Sequence, residues 1–333
     1  MEVIADFISD SKWAQLLAGV IALLVVVGVL LLLARVTERM RNGGIRRWVG
    51  VLLFAGPALG LLTLGLIYPA IRTSWMSLHD RRSQNFVGFD NYAQIFSDPN
   101  LRVSLTNTFV WVMLVPILAT AIGLLYAILV DGKRGESMAK SLLFMPMAIS
   151  FVGAGIIWRL VYDYKGAAFE QTGLANAVLT SFGFEPVRFL QDYPMNTVYL
   201  IVVMIWVQAG FAMVLLSAAI KAIPTDIVEA ARIDGVNPWQ MFVRITLPSI
   251  RPTMVVVLTT IIIATLKVFD IVQTMTGGNF RTSVLANEMY TQSFTNANRG
   301  VGSALAVMIF ILVIPIVVFN IRQMLINKEV RGG

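Results

Sequence analysis

The chain of 333 residues has no cysteine and a single histidine, His79. Disulfide scaffolds, thiol chemistry, Cys/His zinc sites and haem ligation are excluded together. Charge is scarce: Asp, Glu, Lys and Arg make up 14% of residues, against about a quarter in soluble domains. The Gly-x4-Gly-Lys-[Ser/Thr] phosphate loop is also missing. Gly132-Lys133 is followed by Arg134 and has no glycine five positions earlier, so the chain gives no sign of hydrolysing ATP itself.

What is present is apolar: 57% of residues are hydrophobic and the mean hydropathy is +0.76. This composition belongs to a polytopic membrane protein. The net charge of +7 then reads as Lys and Arg held in cytoplasmic loops, with no nucleic-acid partner implied. A helix needs roughly 20 apolar residues to cross the hydrocarbon core. Seven stretches qualify: 13–34, 49–71, 108–130, 142–161, 197–220, 253–271 and 302–321. None shows the alternation of a barrel strand, so the expected fold class is an all-α membrane protein of seven transmembrane helices.

The first stretch is too long for a signal h-region and no small-x-small cleavage site follows it, so it reads as a retained anchor. Acidic residues Glu2, Asp6 and Asp10 precede it; Arg35, Arg39, Arg41, Arg46 and Arg47 follow. By the positive-inside rule the N-terminus is outside and the C-terminus cytoplasmic. On that assignment the inside segments hold 15 Lys and Arg in 69 residues, and the outside segments 9 in 113. Arg72, Arg81 and Arg82 run against the trend.

The longest cytoplasmic loop, 221–252, carries the most local information. Pro224-Thr225-Asp226 suits a helix start, with acid near the positive end of the dipole. Gly235 suits the left-handed residue that ends a helix. Asn237-Pro238-x-Gln240 restarts one, with an N-cap, a first-turn proline and a third-position amide, and Pro248 and Pro252 are expected to close it before the next span. The first helix is about ten residues long and mixes Val228, Ala231 and Ile233 with Glu229, Arg232 and Asp234. A helix this short does not hold itself together in water. It packs on its own bundle or on another protein, and periodicity leaves both open.

The string Glu229-Ala230-Ala231-x3-Gly235-x9-Ile245-x-Leu247-Pro248 resembles the EAA loop of permease subunits in binding-protein-dependent ABC importers. Phe86-Val87-Gly88-Phe89-Asp90-Asn91-Tyr92, Thr276-Gly277-Gly278 and Gly302-Ser303-Ala304 resemble segments of that family's carbohydrate-uptake branch. Asn279-Phe280 stands where the branch usually continues with proline, and that version looks most like the maltose and α-glucoside permeases. The resemblance spans residues 50–322. It implies an N-terminal anchor and basic linker over 1–48, a six-helix permease core over 49–322 and a cytoplasmic tail over 323–333.

Further implications follow from the resemblance alone. Glu229, Ala230, Ala231, Arg232 and Asp234 would form a coupling helix docked on an ATPase subunit, Gly235 the elbow, and Ile245, Leu247 and Pro248 the seat under the bundle. Partners would be a second homologous permease, two ATPase subunits carrying the ATP and Mg, and an extracytoplasmic solute-binding protein. The chain would be non-catalytic, need no cofactor or metal of its own, and sit among the lipids of the bacterial cytoplasmic (inner) membrane.

Candidate solute-facing residues come from polar and aromatic groups inside spans. Trp206, Gln208 and Phe211 offer rings to stack on a sugar and an amide for its hydroxyls; the alternative is an amide bonded to a neighbouring helix and rings facing lipid. Lys267 and Asp270 lie one turn apart, so a structural ion pair is allowed, with Gln273 and Thr274 beyond. Trp158, Arg159 and Tyr162 suit an interfacial belt. Pro57, Pro69, Pro116 and Pro146 are candidate kinks, and His79 is expected to be solvated. The cargo reads as an oligosaccharide or α-glucoside, with polyol or glycerol phosphate as the alternative. A polytopic membrane enzyme lacks paired intramembrane carboxylates here, and a secondary carrier would show inverted repeats with broken helices at matched positions.

Overall fold

A computed structural model describes residues 43–166 and 168–331, with isolated positions between 16 and 35; the side chains of 43–49, 52–54 and 324–331 fall outside the description. The expected span 13–34 lies largely outside the described residues. Among these the chain is helical with no strand, and five helices, or six counting one broken pair, are long and apolar enough to cross a membrane.

The chain divides into two units, Met1–Arg72 and Thr73–Gly333. In the first, α1 (Gly43–Leu62) passes through a π turn at Thr63–Ile67. Thr63 Oγ1 donates to the Leu59 carbonyl at 2.7 Å, the back-bonding that loosens helix register. Leu59, Leu61, Leu64 and Leu66 are all exposed, which suits lipid rather than water. The helix continues as α2 (Tyr68–Met76), so the span is Ala55–Met76.

After α2 the second unit carries a folded loop. Asp80 accepts from the Gln84 N–H at 2.8 Å and the Asn85 amide at 2.7 Å, and these bonds hold its carboxyl below the ordinary carboxylate range. His79 is not solvated: it is 7% exposed, stacked on Trp75 at 3.7 Å and edge-on to Phe86 at 5.6 Å. Asn91, from α3 (Asp90–Ser97), donates to the carbonyls of Ser77 and His79 at 2.8 and 2.7 Å. The Val-Gly-x-x-Asn-Tyr segment is therefore a loop clamp, with Tyr92 Oη 2.8 Å from Ser77 Oγ. Arg81 is engaged too, donating to the carbonyls of Asn296 and Ala297, which gives one of the three arginines that run against the charge trend a structural use.

The next span, α4, is Pro99–Val130, beginning nine residues before the expected apolar run because Asp98 caps it. Asp98 Oδ1 accepts from Asn100 N at 2.7 Å and Leu101 N at 3.3 Å, with Pro99 in the first turn.

The expected span 142–161 is not one helix. α5 (Glu136–Phe144) ends in a 3₁₀ turn, Met145–Ala148, and α6 (Phe151–Val161) leaves at 102° to it. Pro146 brings no N–H and Ile149 is extended; Ser150, also extended, then caps the new helix through Gly153 N at 3.1 Å. Hydropathy runs unbroken across this corner, and the hydrogen-bond ladder does not. It is the one helix pair bent at so sharp a break among the described residues.

After α7 (Leu174–Ser181), α8 (Met195–Lys221) forms the hub, with buried residues on most of its circumference. A Cβ at Gly123 of α4 would lie 2.7 Å from both Ala212 Cβ and Met213 N, so glycine is what lets the two backbones approach. Around α8 collects a core of Trp111, Val115, Leu200, Met204, Leu216, Val257, Ile261 and Ile271.

Beyond Gly235, α10 (Pro238–Met241) does not close at Pro248. A π turn, Phe242–Thr246, carries it into α11 (Leu247–Leu266) as one helix of 29 residues. The wider turn, with Leu247 N reaching Phe242 O, lies just ahead of Pro248, which has no N–H of its own to give the ladder. The helix then stops at Leu266, and a separate short helix, α12 (Asp270–Met275), follows. Lys267 and Asp270 are therefore not on one helix, and the four ion pairs among the described residues all lie elsewhere. α13 (Leu285–Tyr290), a π turn at Thr291–Thr295 and α14 (Arg299–Arg331) complete the fold.

Candidate functional site

The segment from Pro224 to Pro248 is built by local rules. Pro224 is extended, and α9 (Thr225–Ile233) follows with Asp226 in its first turn. At the other end Gly235 takes φ +74° with nothing near its missing Cβ, so the glycine is there for its backbone angle. Val236 N donates to Ala231 O and Gly235 N to Arg232 O, both at 3.1 Å. This paired closure is the Schellman motif. Two residues on, Asn237 Oδ1 accepts from Gln240 N at 2.8 Å and Gln240 Oε1 from Asn237 N at 3.1 Å, a full capping box. A stiff elbow thus joins two helices whose ends are both satisfied.

The helix is stiff yet barely covered. Of its residues only Ala231 is buried; Glu229, Ala230, Arg232, Asp234 and Gly235 are exposed. Ile233 is 86% exposed and Trp239 71%. A connector packed on its own bundle would cover these two side chains. Ile245 and Leu247 are half-buried and Pro248 is exposed, at the passage from the π turn into α11.

A charge cluster that the sequence reading missed sits beside this loop. Lys140 Nζ lies 3.2 Å from Asp131 and 2.6 Å from Glu136, and it also donates to Ser217 Oγ. Lys221, three residues before Pro224, approaches the same two carboxylates. Two lysines and two carboxylates neutralise one another and tie the 131–140 segment to the end of α8, just before the loop that starts at Ala222. Only the Glu136–Lys140 spacing was legible in advance.

The solute-path candidates divide. Trp206 is half-buried and edge-on to Trp158 at 5.6 Å. Gln208 and Phe211 are half-buried on a stripe of α8 that continues through Leu215 and Ala218. The Gln208 amide makes no hydrogen bond among the described residues. On α12, which packs against α6 and α8, Asp270 is half-buried, while Gln273 is exposed and accepts from Asn287 Nδ2 at 2.7 Å. So α8 is the most enclosed span, and its uncovered stripe carries an amide free to bond something else.

Comparison with known proteins is informative at this point. The family described as "Binding-protein-dependent transport system inner membrane component" matches residues 96–332. The osmoprotective compounds uptake permease protein GgtC of Synechocystis sp. is 48% identical over 279 residues, covering 84% of this chain and 100% of the relative. The alpha-glucoside transport system permease protein AglF of Rhizobium meliloti is 49% identical over 280 residues, covering 84% and 82%. Among solved structures, a bacterial ABC transporter involved in import of the acidic polysaccharide alginate superposes with a TM-score of 0.71 at 25% identity, over 84% of this chain and 98% of that one.

Proposed function

The chain belongs to the family of inner-membrane components of binding-protein-dependent transport systems, and from that premise we propose that it is one of two permease subunits of an ATP-driven importer for a neutral sugar of the α-glucoside class. ATP hydrolysis belongs to separate ATPase subunits. An extracytoplasmic binding protein delivers the solute, and a second permease supplies the other wall of the path. The N-terminus lies outside and the coupling loop in the cytoplasm.

The observation that carries this reading is the exposed helix Thr225–Ile233, closed at its C-terminal end by the Gly235 turn, with Ile233 bare. A short rigid helix, fixed at its base, passes a push from closing ATPase subunits to the spans as a rigid-body tilt. Its base is the last turn of α8, the helix that carries Gln208 and Phe211. With 27 residues, α8 is about 40 Å long, enough to join the cytoplasmic surface to the outer one. A tilt of α8 therefore moves the candidate solute-facing stripe itself.

Neutral sugar is supported by the chemistry of that stripe. Val202, Trp206, Gln208, Phe211, Leu215 and Ala218 include no charge, whereas a phosphate ester or acidic sugar calls for cations along its path. AglF, at 49% identity, is named for α-glucoside transport, which agrees with this.

The test is reconstitution of the chain with its partner permease, ATPases and binding protein in proteoliposomes. ATPase stimulation and uptake are read with maltose, trehalose, sucrose, sorbitol and glycerol 3-phosphate. Stimulation and accumulation with at least one disaccharide, and none with glycerol 3-phosphate, is the expected outcome. Response to the phosphate ester alone would overturn the sugar assignment.

A further inference from the structure

At the end of α8 far from the coupling helix, three pieces of chain converge: the last turn of α6 with the residues following it, the segment 182–194 leading into α8, and α12 with the turn after it. They enclose a cavity of about 180 Å³ whose lining includes Arg159, Asp163, Tyr164, Arg188, Gln191 and Phe280. We propose that this cavity is an outer vestibule site that holds one neutral sugar unit before it enters the membrane path; it rests on the sugar-import reading above.

The chemistry of the walls selects the ligand. Arg159 and Arg188 only donate hydrogen bonds, Asp163 only accepts, and Gln191 and Tyr164 do both. A simple anion would suit the guanidiniums and be repelled by Asp163 in the same wall. A sugar hydroxyl donates and accepts, so a polyhydroxyl ligand satisfies both kinds of wall at once. The side chains of Arg159 and Gln191 have no hydrogen bond or ion pair among the described residues. Their polar ends are available. Arg188 is already oriented, its guanidinium lying 5.3 Å from the centre of the Tyr164 ring.

A second observation concerns the aromatic wall. Phe280 and Arg281 have φ of +56° and +62°, a left-handed backbone that side-chain-bearing residues avoid. Two buried asparagines hold them there. Asn196, at the start of α8 and 0% exposed, donates to the Phe280 carbonyl at 2.8 Å. Asn107 of α4, 3% exposed, donates to the carbonyls of Arg281 and Ser283 at 2.7 and 2.9 Å. The Arg281 guanidinium also lies 4.6 Å from the centre of the Tyr193 ring. A strained turn so over-determined marks a placed side chain. Phe280 is the side chain it places, half exposed beside the cavity, and an aromatic face is what the apolar face of a pyranose stacks on.

The chain has no cysteine, which makes the test clean. Gln191→Cys and, separately, Leu190→Cys, at a position whose side chain also lines the cavity, are introduced into the full transporter in proteoliposomes. Alkylation of this chain by a membrane-impermeant maleimide is timed without binding protein, in the presence of maltose, trehalose, sucrose, glucose 6-phosphate or sulfate. The expected result is an at least threefold slowing at one or both cysteines by a disaccharide that the complex transports. Phe280→Ala should remove that slowing. Equal slowing by sulfate would make the cavity an anion site and overturn the proposal. No slowing at either cysteine by a sugar that is transported would also overturn it, while leaving the import reading in place. Failure of every sugar to be transported would remove that reading and the vestibule with it.

Discussion

Val236 closes on Ala231, its backbone N–H donating to the Ala231 carbonyl at 3.1 Å across Gly235. That single turn fixes the angle between the exposed helix Thr225–Ile233 and the long helix that begins at Pro238. Whatever pushes on the first is felt by the second.

Gly235 is the residue on which this closure depends, because its φ of +74° costs a side-chain-bearing residue roughly 1–2 kcal/mol. Gly235→Ala should weaken coupling. Gly235→Pro, which also deletes the bond to Arg232 O, should abolish it, as should reversal of charge in Glu229→Lys. Membrane insertion stays normal in all three. The check is the ratio of solute-stimulated ATPase to uptake in proteoliposomes; wild-type transport by Gly235→Pro would show that the elbow transmits nothing.

The charge cluster predicts an order rather than a magnitude. Lys140 has a side chain 19% exposed and Lys221 one 53% exposed, and both face Asp131 and Glu136. Removing the less solvated lysine leaves the carboxylates less well screened. Lys140→Ala should therefore lower the thermal midpoint in detergent more than Lys221→Ala. The reverse order would mean that the cluster contributes through the coupling loop instead.

At Gly123 the contact is steric. A methyl group there meets Ala212 Cβ and Met213 N at 2.7 Å, and the α8 backbone cannot give way without moving the whole hub. Gly123→Ala should destabilise by roughly 1–3 kcal/mol, seen as an earlier thermal transition and a smaller monodisperse peak on size exclusion. Unchanged stability would mean that α4 and α8 are not held at this distance.

Gln208→Ala separates a solute contact from a structural one. Because the amide has no partner among the described residues, its loss should leave the thermal midpoint unchanged. Transport KM should rise by the worth of a hydrogen bond, about 0.5–1.5 kcal/mol or up to roughly tenfold. A lowered midpoint with unchanged KM would assign the amide to helix packing.

Legibility in the sequence followed the range of the interactions. The Gly235 stop and the Asn237-Pro238-x-Gln240 restart are local backbone chemistry, and the structure forms a Schellman closure and a capping box at those positions. Hydropathy located the apolar runs but not their breaks: the corner at Ile149-Ser150 interrupts the hydrogen-bond ladder without interrupting apolar composition, and the stop at Leu266 falls inside a stretch whose average stays apolar despite Lys267 and Asp270. Pro248 misled in the other direction, because a π turn accommodates it. His79 and the turn at Phe280 depend on partners far off in the chain. A solvated histidine was a fair expectation until Trp75 and Phe86 enclosed it, and nothing near Phe280 announces that Asn107 and Asn196 will hold it.

The most direct test of the central claim is a cross-link from Ile233. The side chain is 86% exposed and the chain has no competing cysteine. Ile233→Cys in native membranes, treated with a short bifunctional thiol reagent and followed by mass spectrometry, should yield an adduct with a nucleotide-binding subunit whose formation changes between ATP-bound and nucleotide-free states. Recovery of the chain with no ATPase attached, from membranes that retain uptake of the solute, would contradict a coupling role for the helix Thr225–Ile233.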